Sequence, residues 1–344
     1  MRRNIVKLRF KTPLHVGTDE ATVNNEASSR FIHSDTVFSC FLNSYCMLYG
    51  VEKTKEFIEN CVKDKRGFVM TSAFPFSGDN YYVIMPVSIP PYFENPKFAH
   101  ERWRYYKKVK EYSFIEIEHF IEFRDGKEVI PEDWGNQSNE CCSEEIRPRV
   151  QIDRISSDAG LYHVGVVHFE RDAGLYLLLE YDDRYISESC IRDTFKNAGI
   201  YGIGGLRSSG CGHFEADLLP FTEDFENLIS GSDNVIYNGY ISLSLVYPDL
   251  EAQDYYRPVA YNLCKREGWT YSSFENVIRK RGRLYFYSEG SVFEDKPKGC
   301  LYEYKDYKDT VHPYYRYGIG FYIPFKIVSD VGKEVDTDGK ARVI

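Results

Sequence analysis

Between Tyr201 and Phe214 the chain reads YGIGGLRSSGCGHF, with glycine at 202, 204, 205, 210 and 212 around Leu-Arg-Ser-Ser. Glycine is favoured where backbone takes positive φ or where another group approaches closely. Gly202, Gly204, Gly205, Gly210 and Gly212 would let a polyanion lie along main-chain amides. Arg207 would add a bidentate fork for phosphate, and Ser208 and Ser209 would add hydroxyls. A tight helix-to-strand connection also uses glycine, but one or two would suffice. Five around Arg-Ser-Ser favour a ligand. The familiar phosphate loops are excluded. Gly205 and Gly210 have P-loop spacing, but Cys211–Gly212 stands where Lys-Ser/Thr is required, and no register gives GxGxxG. The loop also follows a helix-like stretch and precedes a strand-like one, the wrong order for either motif.

Other chemistry is thinner. Ser34, Asp35 and Thr36 open a helix-like stretch, and a helix start offers unpaired amides to phosphate. Capping and packing explain the same residues equally well. Arg102 to Lys110 reads RWRYYKKVK, which mixes charge for phosphates with rings for bases, though a solvated helix face looks similar. His15, His33, His163, His168, His213 and His312 are scattered, and isolated histidines are usually structural. No HExxH, CxxC or EF-hand loop is present, so no metal and no cofactor is assigned. No GxSxG occurs, which leaves a hydrolase nucleophile unsupported. General acid/base work by His15 with Asp35 is conceivable, but nothing local brings them together.

The elements that must position these residues show in the periodicity. Ile5–Phe10 alternates apolar and charged side chains, as a strand does. After a polar stretch, a helix is expected from Ser34 or Asp35, with Val37, Phe38, Phe41, Leu42, Tyr45 and Leu48 on its apolar face and Gly50 at its end. Tyr81–Ile89 reads as a strand, and residues 91–145 as an irregular insertion. Leu161–Phe169 and Gly174–Tyr181, separated by the polar turn ERDA, read as a hairpin. Ser187–Ala198 is helix-like, and Phe214–Phe221 strand-like. Strand, helix, strand, strand, helix, strand is the ferredoxin-like βαββαβ order, an α+β class that single-strand RNA readers use. Beyond it, strands are expected at Tyr240–Tyr247, Arg283–Phe293 and Tyr317–Ile327. A weak helix is expected at Ser272–Lys280, and a mobile tail over 329–344.

The bulk numbers bound the rest. The chain has 344 residues, enough for about two domains. Its net charge is −9, so any nucleic-acid site must be local rather than a broad basic surface. Nine cysteines without a CxxC pair, no apolar leader and no apolar run long enough for a membrane suggest a cytoplasmic protein with free thiols.

Four segments in this order are specific together. They are FKTPLHVG with IHSDTVFS, then RPRVQIDRISS, then GIGGLRSSGCGHF, then HPYYRYGIGFYIP near the C-terminus. The chain resembles the RAMP proteins of CRISPR–Cas systems, and more narrowly subunit four of type III-A (Csm) effector complexes, up to about residue 327. The resemblance implies two ferredoxin-like domains, over 1–225 and 235–328, with the insertion at 91–145 and a thumb-like β-hairpin at about 147–170. It implies a cap that grips the 5′ tag of crRNA and docks onto the large polymerase/HD-nuclease subunit and a RAMP backbone subunit. Gly202 to Gly212 would be the glycine-rich RNA loop, and His15, in the early Pro/Gly turn, would be a further RNA contact. Arg149, Gln151, Ile152, Asp153 and Arg154 would start the thumb, with Ile152 as a wedge, and Ser34 to Thr36 would meet the tag backbone. Asp19 lies in an early loop, but its surroundings do not match the slicer motif of the backbone subunits, and GGDD is absent from the chain. The resemblance therefore implies no catalysis. Two alternatives stay open: a RAMP endoribonuclease of CRISPR repeat RNA using His15 or His213, and the equivalent type III-B cap.

Overall fold

A computed structural model of the chain describes residues 1–17, 26–64, 67–87, 108–109, 111–127, 141–249, 257–272, 274, 277–305, 307, 310 and 312–327. The first half runs β1 (Arg2–Phe10), α1 (Ser34–Tyr49), α2 (Val51–Phe57), β2 (Phe68–Met70), β3 (Phe74–Ser77) and β4 (Asn80–Ile84). It continues with β5 (Phe114–Glu116), α3 (Ile117–Arg124), β6 (Cys142–Ile152), β7 (Ala159–Phe169) and β8 (Ala173–Tyr181). Helix α4 (Glu188–Tyr201), β9 (Phe214–Pro220) and α5 (Glu223–Ser230) complete it. The remainder is built from β10 (Gly239–Ser242), β11 (Pro258–Ala260), β12 (Leu263–Trp269), β13 (Lys280–Tyr287), β14 (Val292–Phe293), β15 (Gly299–Glu303), β16 (Tyr315–Ile319) and β17 (Tyr322–Phe325).

The first half wraps one antiparallel sheet ordered β5-β4-β3-β8-β1-β9, with β2 also on β8. Strand β8 is central because its sequence, AGLYLLLEY, is apolar on both faces; Leu175, Tyr176, Leu177, Leu178 and Leu179 are all buried. Each such side chain contributes roughly 1.5–3 kcal/mol. Helices α1 and α4 pack on each other beside the sheet, with Phe41 against Phe195 at 5.1 Å between rings. Ser187 starts α4 by accepting a hydrogen bond from Cys190 N–H, and Gly202 ends it at φ 78°.

Several expectations are corrected here. Strand β7 does not pair with β8; it pairs in full register with β6, from Cys142↔Phe169 to Ile152↔Ala159. Strand β8 has no edge left for β7, because it pairs with β1 on one side and with β2 and β3 on the other. The expected strand at Tyr81–Ile89 stops at Ile84. The insertion is not wholly irregular: β5 extends the main sheet, and α3 anchors it through Arg124. That buried side chain donates to the carbonyls of Asn227 and Leu228 at the end of α5, both at 3.0 Å. A cation on those carbonyls suits the negative helix end. Residues 102–107 and 110 of the basic–aromatic run, Asp19 and the tail over 329–344 lie outside the described residues.

In the second half β10, β11, β14 and β17 form a sheet ordered β11-β14-β10-β17, while β12–β13 and β15–β16 are separate hairpins. No helix occurs among its described residues. The described part of Ser272–Lys280 is a loop closing the β12–β13 hairpin, with Thr270 and Arg279 hydrogen-bonded across its base. The expected strand Arg283–Phe293 is split by a turn. Gly290 sits there at φ 81°, and a Cβ would meet Met85 O at 2.6 Å. The run Tyr317–Ile327 is likewise divided between β16 and β17. The two halves share one core: Tyr317 stacks on Phe38 at 4.8 Å, and its hydroxyl accepts from Met70 N–H at 3.1 Å.

Candidate nucleic-acid interface

The glycine loop follows α4 and folds onto the segment after β1. Gly205 N–H donates to His15 O and Gly212 N–H to Pro13 O, both at 2.8 Å. Ile203 N–H donates to Gly212 O at 2.9 Å and pins the loop to itself. Gly202, Gly204, Gly210 and Gly212 all have positive φ. A Cβ on Gly212 would lie 2.0 Å from Ile203 O, and one on Gly204 would lie 2.4 Å from His15 O. The close approaches are therefore made by the protein's own backbone. Abundance of glycine alone does not argue for a ligand here, which corrects the reading from the sequence. What faces outward is the short turn Arg207–Ser209, between left-handed Leu206 and Gly210. Ser208, Ser209 and Gly210 are exposed, and nothing lies within 4 Å of a Cβ on Gly210.

The α1 start is closed to solvent. Ser34 is fully buried; its amide donates to Ser72 Oγ at 2.8 Å, and its hydroxyl accepts from Leu245 N–H at 3.1 Å. Asp35 is also buried, between Arg316 Nη1 at 2.8 Å and Arg266 Nη2 at 3.0 Å. Burial pushes its carboxyl up, but Arg266 and then Arg316 outweigh it and hold the group far below the usual range. The helix start therefore joins the two halves of the molecule and cannot meet a phosphate at Ser34 or Asp35. His33 extends the joint to buried Glu289 at 2.9 Å. Only Thr36 is half-exposed; its hydroxyl accepts from Arg266 at 2.9 Å.

Thr36 lines a cleft of about 220 Å³ with Gly202, Gly204 and Arg207 from the loop, and with Arg266, Trp269, Tyr271, Arg281 and Arg316. Here the structure does unite α1 and the glycine loop, against the β12–β13 hairpin. The Arg207 guanidinium lies over the Tyr271 ring at 4.1 Å. Cys40 also lines the cleft, and burial pushes its thiol up to about 12 against the pull of Arg207. It is no nucleophile at neutral pH.

The β6–β7 hairpin is the opposite case. Its base packs Val164 and Val166 on Cys211 and Leu206 of the glycine loop. His15 Nδ1 lies 2.7 Å from Gly165 O and ties hairpin, loop and β1 together. Beyond this base every residue from 151 to 160 is exposed. Ile146, Val150 and Ile152 lie on one face by alternation, with Leu161 opposite Val150, and these four are 58–66% exposed. Arg149 lies on the other face, opposite Tyr162. Among the described residues Arg149, Gln151 and Arg154 have no side-chain partner. Asp153 is not positioned as a ligand contact. Its Oδ1 accepts from Ile155 N–H at 2.7 Å and Ser156 N–H at 2.9 Å, closing the tip turn. Those amides, Ser156 first, hold its carboxyl below the ordinary range. The turn lifts Ile155 to 97% exposure, so the apex residue is Ile155 rather than Ile152.

The histidines weighed for catalysis are engaged elsewhere. His213 Nδ1 lies 2.8 Å from Ile200 O, and neither His15 nor His213 contacts a carboxylate among the described residues. No group of three or more His, Cys, Asp or Glu side chains there is arranged to hold a metal ion. No helix there is long and apolar enough to cross a membrane.

Residues 237–325 match the family model of the CRISPR Csm4 C-terminal domain. The "CRISPR system Cms protein Csm4" of Thermococcus onnurineus is 26% identical over 270 residues, covering 77% of this chain and 83% of that protein. Its namesake from Streptococcus thermophilus is 23% identical over 281 residues, covering 80% and 85%. A chain in the crystal structure of a Csm1-Csm4 cassette in complex with cA4 matches with TM-score 0.63 at 19% identity, covering 95% of this chain and 99% of that one. A chain in a Csm3-Csm4 subcomplex of the type III-A CRISPR-Cas interference complex matches with TM-score 0.60 at 18% identity, covering 95% and 100%.

Proposed function

The chain belongs to the Csm4 family, and from that premise we propose that it is a non-catalytic, RNA-binding subunit of a type III-A CRISPR interference complex. In this reading it grips the 5′ tag of crRNA and joins the large polymerase/nuclease subunit to the RAMP backbone filament. The partners are those of its relatives: the solved structures that share its fold pair Csm4 with Csm1 and with Csm3. The observation that carries RNA binding is the hairpin tip. Ile152 and Ile155 stand exposed beside Arg149 and Arg154, which combines a wedge with phosphate ligands. Arg207, Ser208 and Ser209 form the second contact, on the loop against which the hairpin base packs.

We read the fold as two ferredoxin-like units, over 1–225 and 235–328. For the first, the support is the order β3-β8-β1-β9 with α1 and α4 as crossovers. The second is a reduced counterpart, an antiparallel sheet fused to the same core. The endoribonuclease alternative has less behind it: Nδ1 of His15 and of His213 lies against a backbone carbonyl, but among the described residues neither ring has a second acid or base group beside it.

Replacing Arg154 and Arg207 together by Ala tests the reading. The account expects weaker binding of tag RNA and a log–log salt slope reduced by about 1.4, or 0.7 per lost phosphate contact on a single strand. RNA retention unchanged from wild type at every salt concentration would refute the assignment of these residues.

A further inference from the structure

The cleft beneath the glycine loop is charged out of balance. Among the described residues Arg207, Arg266, Arg281 and Arg316 line it, with Asp35 and Glu267 as the carboxylates. Asp35 is engaged by Arg266 and Arg316. The Glu267 carboxylate turns to Lys265 and Arg283, and only its backbone carbonyl serves Arg316, at 3.1 Å. Arg281 has no ion pair among the described residues. Its Nε is buried without a hydrogen-bond partner, and so is Nε of Arg316, a side chain of only 2% exposure. Burial, and after it the charge of Arg316, lowers the pKa of Arg281. A buried donor left unpaired costs about 1–3 kcal/mol. The two Nε atoms are sealed inside the protein, but the Arg281 side chain borders the cleft with no carboxylate to answer it, and an anion there would complete it. At its mouth Trp269 and Tyr271 keep 64% and 46% of their surface exposed, although both border a cavity. Exposed rings beside unpaired cations suit a base and its phosphate. In a chain of net charge −9, a local knot of arginines also draws polyanions to this one spot.

Resting on the RNA reading above, we propose that this cleft seats one nucleotide of the bound RNA, its phosphate on Arg281 and its base against Trp269 and Tyr271. At about 220 Å³ the cleft admits a single residue of a polymer, while the strand continues outside it.

The test uses the full chain and a synthetic single-stranded RNA with the tag sequence, in which 2-aminopurine is placed at one position after another. One position should be strongly quenched, and Trp269→Ala with Tyr271→Ala should restore its emission. Arg281→Gln should weaken binding about tenfold and flatten the salt slope by about 0.7, while Arg281→Lys should keep the slope. Trp269 lies on the surface, so its variant still reports if Arg281→Gln folds poorly. Wild-type binding with no quenched position, or with quenching and slope unchanged in these variants, would overturn the inference and leave the hairpin assignment standing. If the wild-type chain binds no tag RNA, both readings fall together.

Discussion

The glycine loop and the β6–β7 hairpin pack against each other at the hairpin base and differ in what their residues are for. In the loop, the conspicuous residues serve the chain itself. Gly204 and Gly212 admit the backbone oxygens of His15 and Ile203, while Gly205 and Ser208 to Gly210 are exposed and Arg207 is half-exposed. In the hairpin, almost nothing serves the chain beyond the base. Ile146, Val150, Ile152, Ile155 and Leu161 are apolar and exposed, on a ribbon that among the described residues stays two-stranded. Isolated hairpins are marginal in water, and an exposed apolar surface of this kind is what an interaction site offers. A motif can stand out because folding demands it, whereas a binding surface shows as side chains that the fold leaves unused.

The α1 start gives the largest expected effect, because it lies wholly on the folding side of this contrast. Asp35→Asn leaves Arg266 and Arg316 without their carboxylate and should destabilise the chain by about 3–5 kcal/mol, read from its urea midpoint. A change under about 1 kcal/mol would show that the joint is not held by this charge. The same group sets an acid response. Its folded pKa is depressed, so its contribution is full above the unfolded value near 4 and fades as pH falls toward the folded one. Wild type should therefore lose stability below about pH 4 more steeply than Asp35→Asn.

Within the loop the comparison can be sharpened with two glycines. Gly212→Ala combines φ 78° with a backbone oxygen 2.0 Å away and should cost more than about 3 kcal/mol. Gly210→Ala has φ 83° and open space, and should cost about 1–2 kcal/mol. Equal losses in thermal unfolding would mean that the loop is not packed as described. The smallest stability effect belongs to the hairpin. Ile152→Ser with Ile155→Ser should move the unfolding midpoint by no more than about 0.5 kcal/mol, yet weaken tag-RNA binding in filter assays. Normal RNA binding by this variant would break the contrast at its functional end.

Much of the scaffold was legible in local pattern. The alternation at Ile5–Phe10 and the apolar stripe from Val37, ended by Gly50, became β1 and α1, except that Leu48, expected on the apolar face, is exposed. Sequence could not show that Asp35 meets Arg266 and Arg316, which stand 231 and 281 residues further along. Ser34 and Asp35 therefore read as a free helix start when they are a buried joint. Pairing was also hidden. Leu161–Phe169 and Gly174–Tyr181 look alike as apolar runs, and only the exposed outer half of the first separates a free ribbon from a core strand. The turn at the hairpin tip had a usable signal, Asp153 followed by Ser156 and Ser157, which marks an Asx turn and would have singled out Ile155 as the apex. For Arg281 and Arg316 no local signal existed: the significance of Arg316 lies in its distant partner Asp35, and that of Arg281 in the lack of an ion pair among the described residues.

The central claim is that this chain holds the constant 5′ end of crRNA. Isolating the native protein from its host and sequencing the RNA that accompanies it tests that claim most directly. The account predicts RNAs that share one 5′ end followed by variable spacers. RNA with random 5′ ends, or none at all, would contradict it.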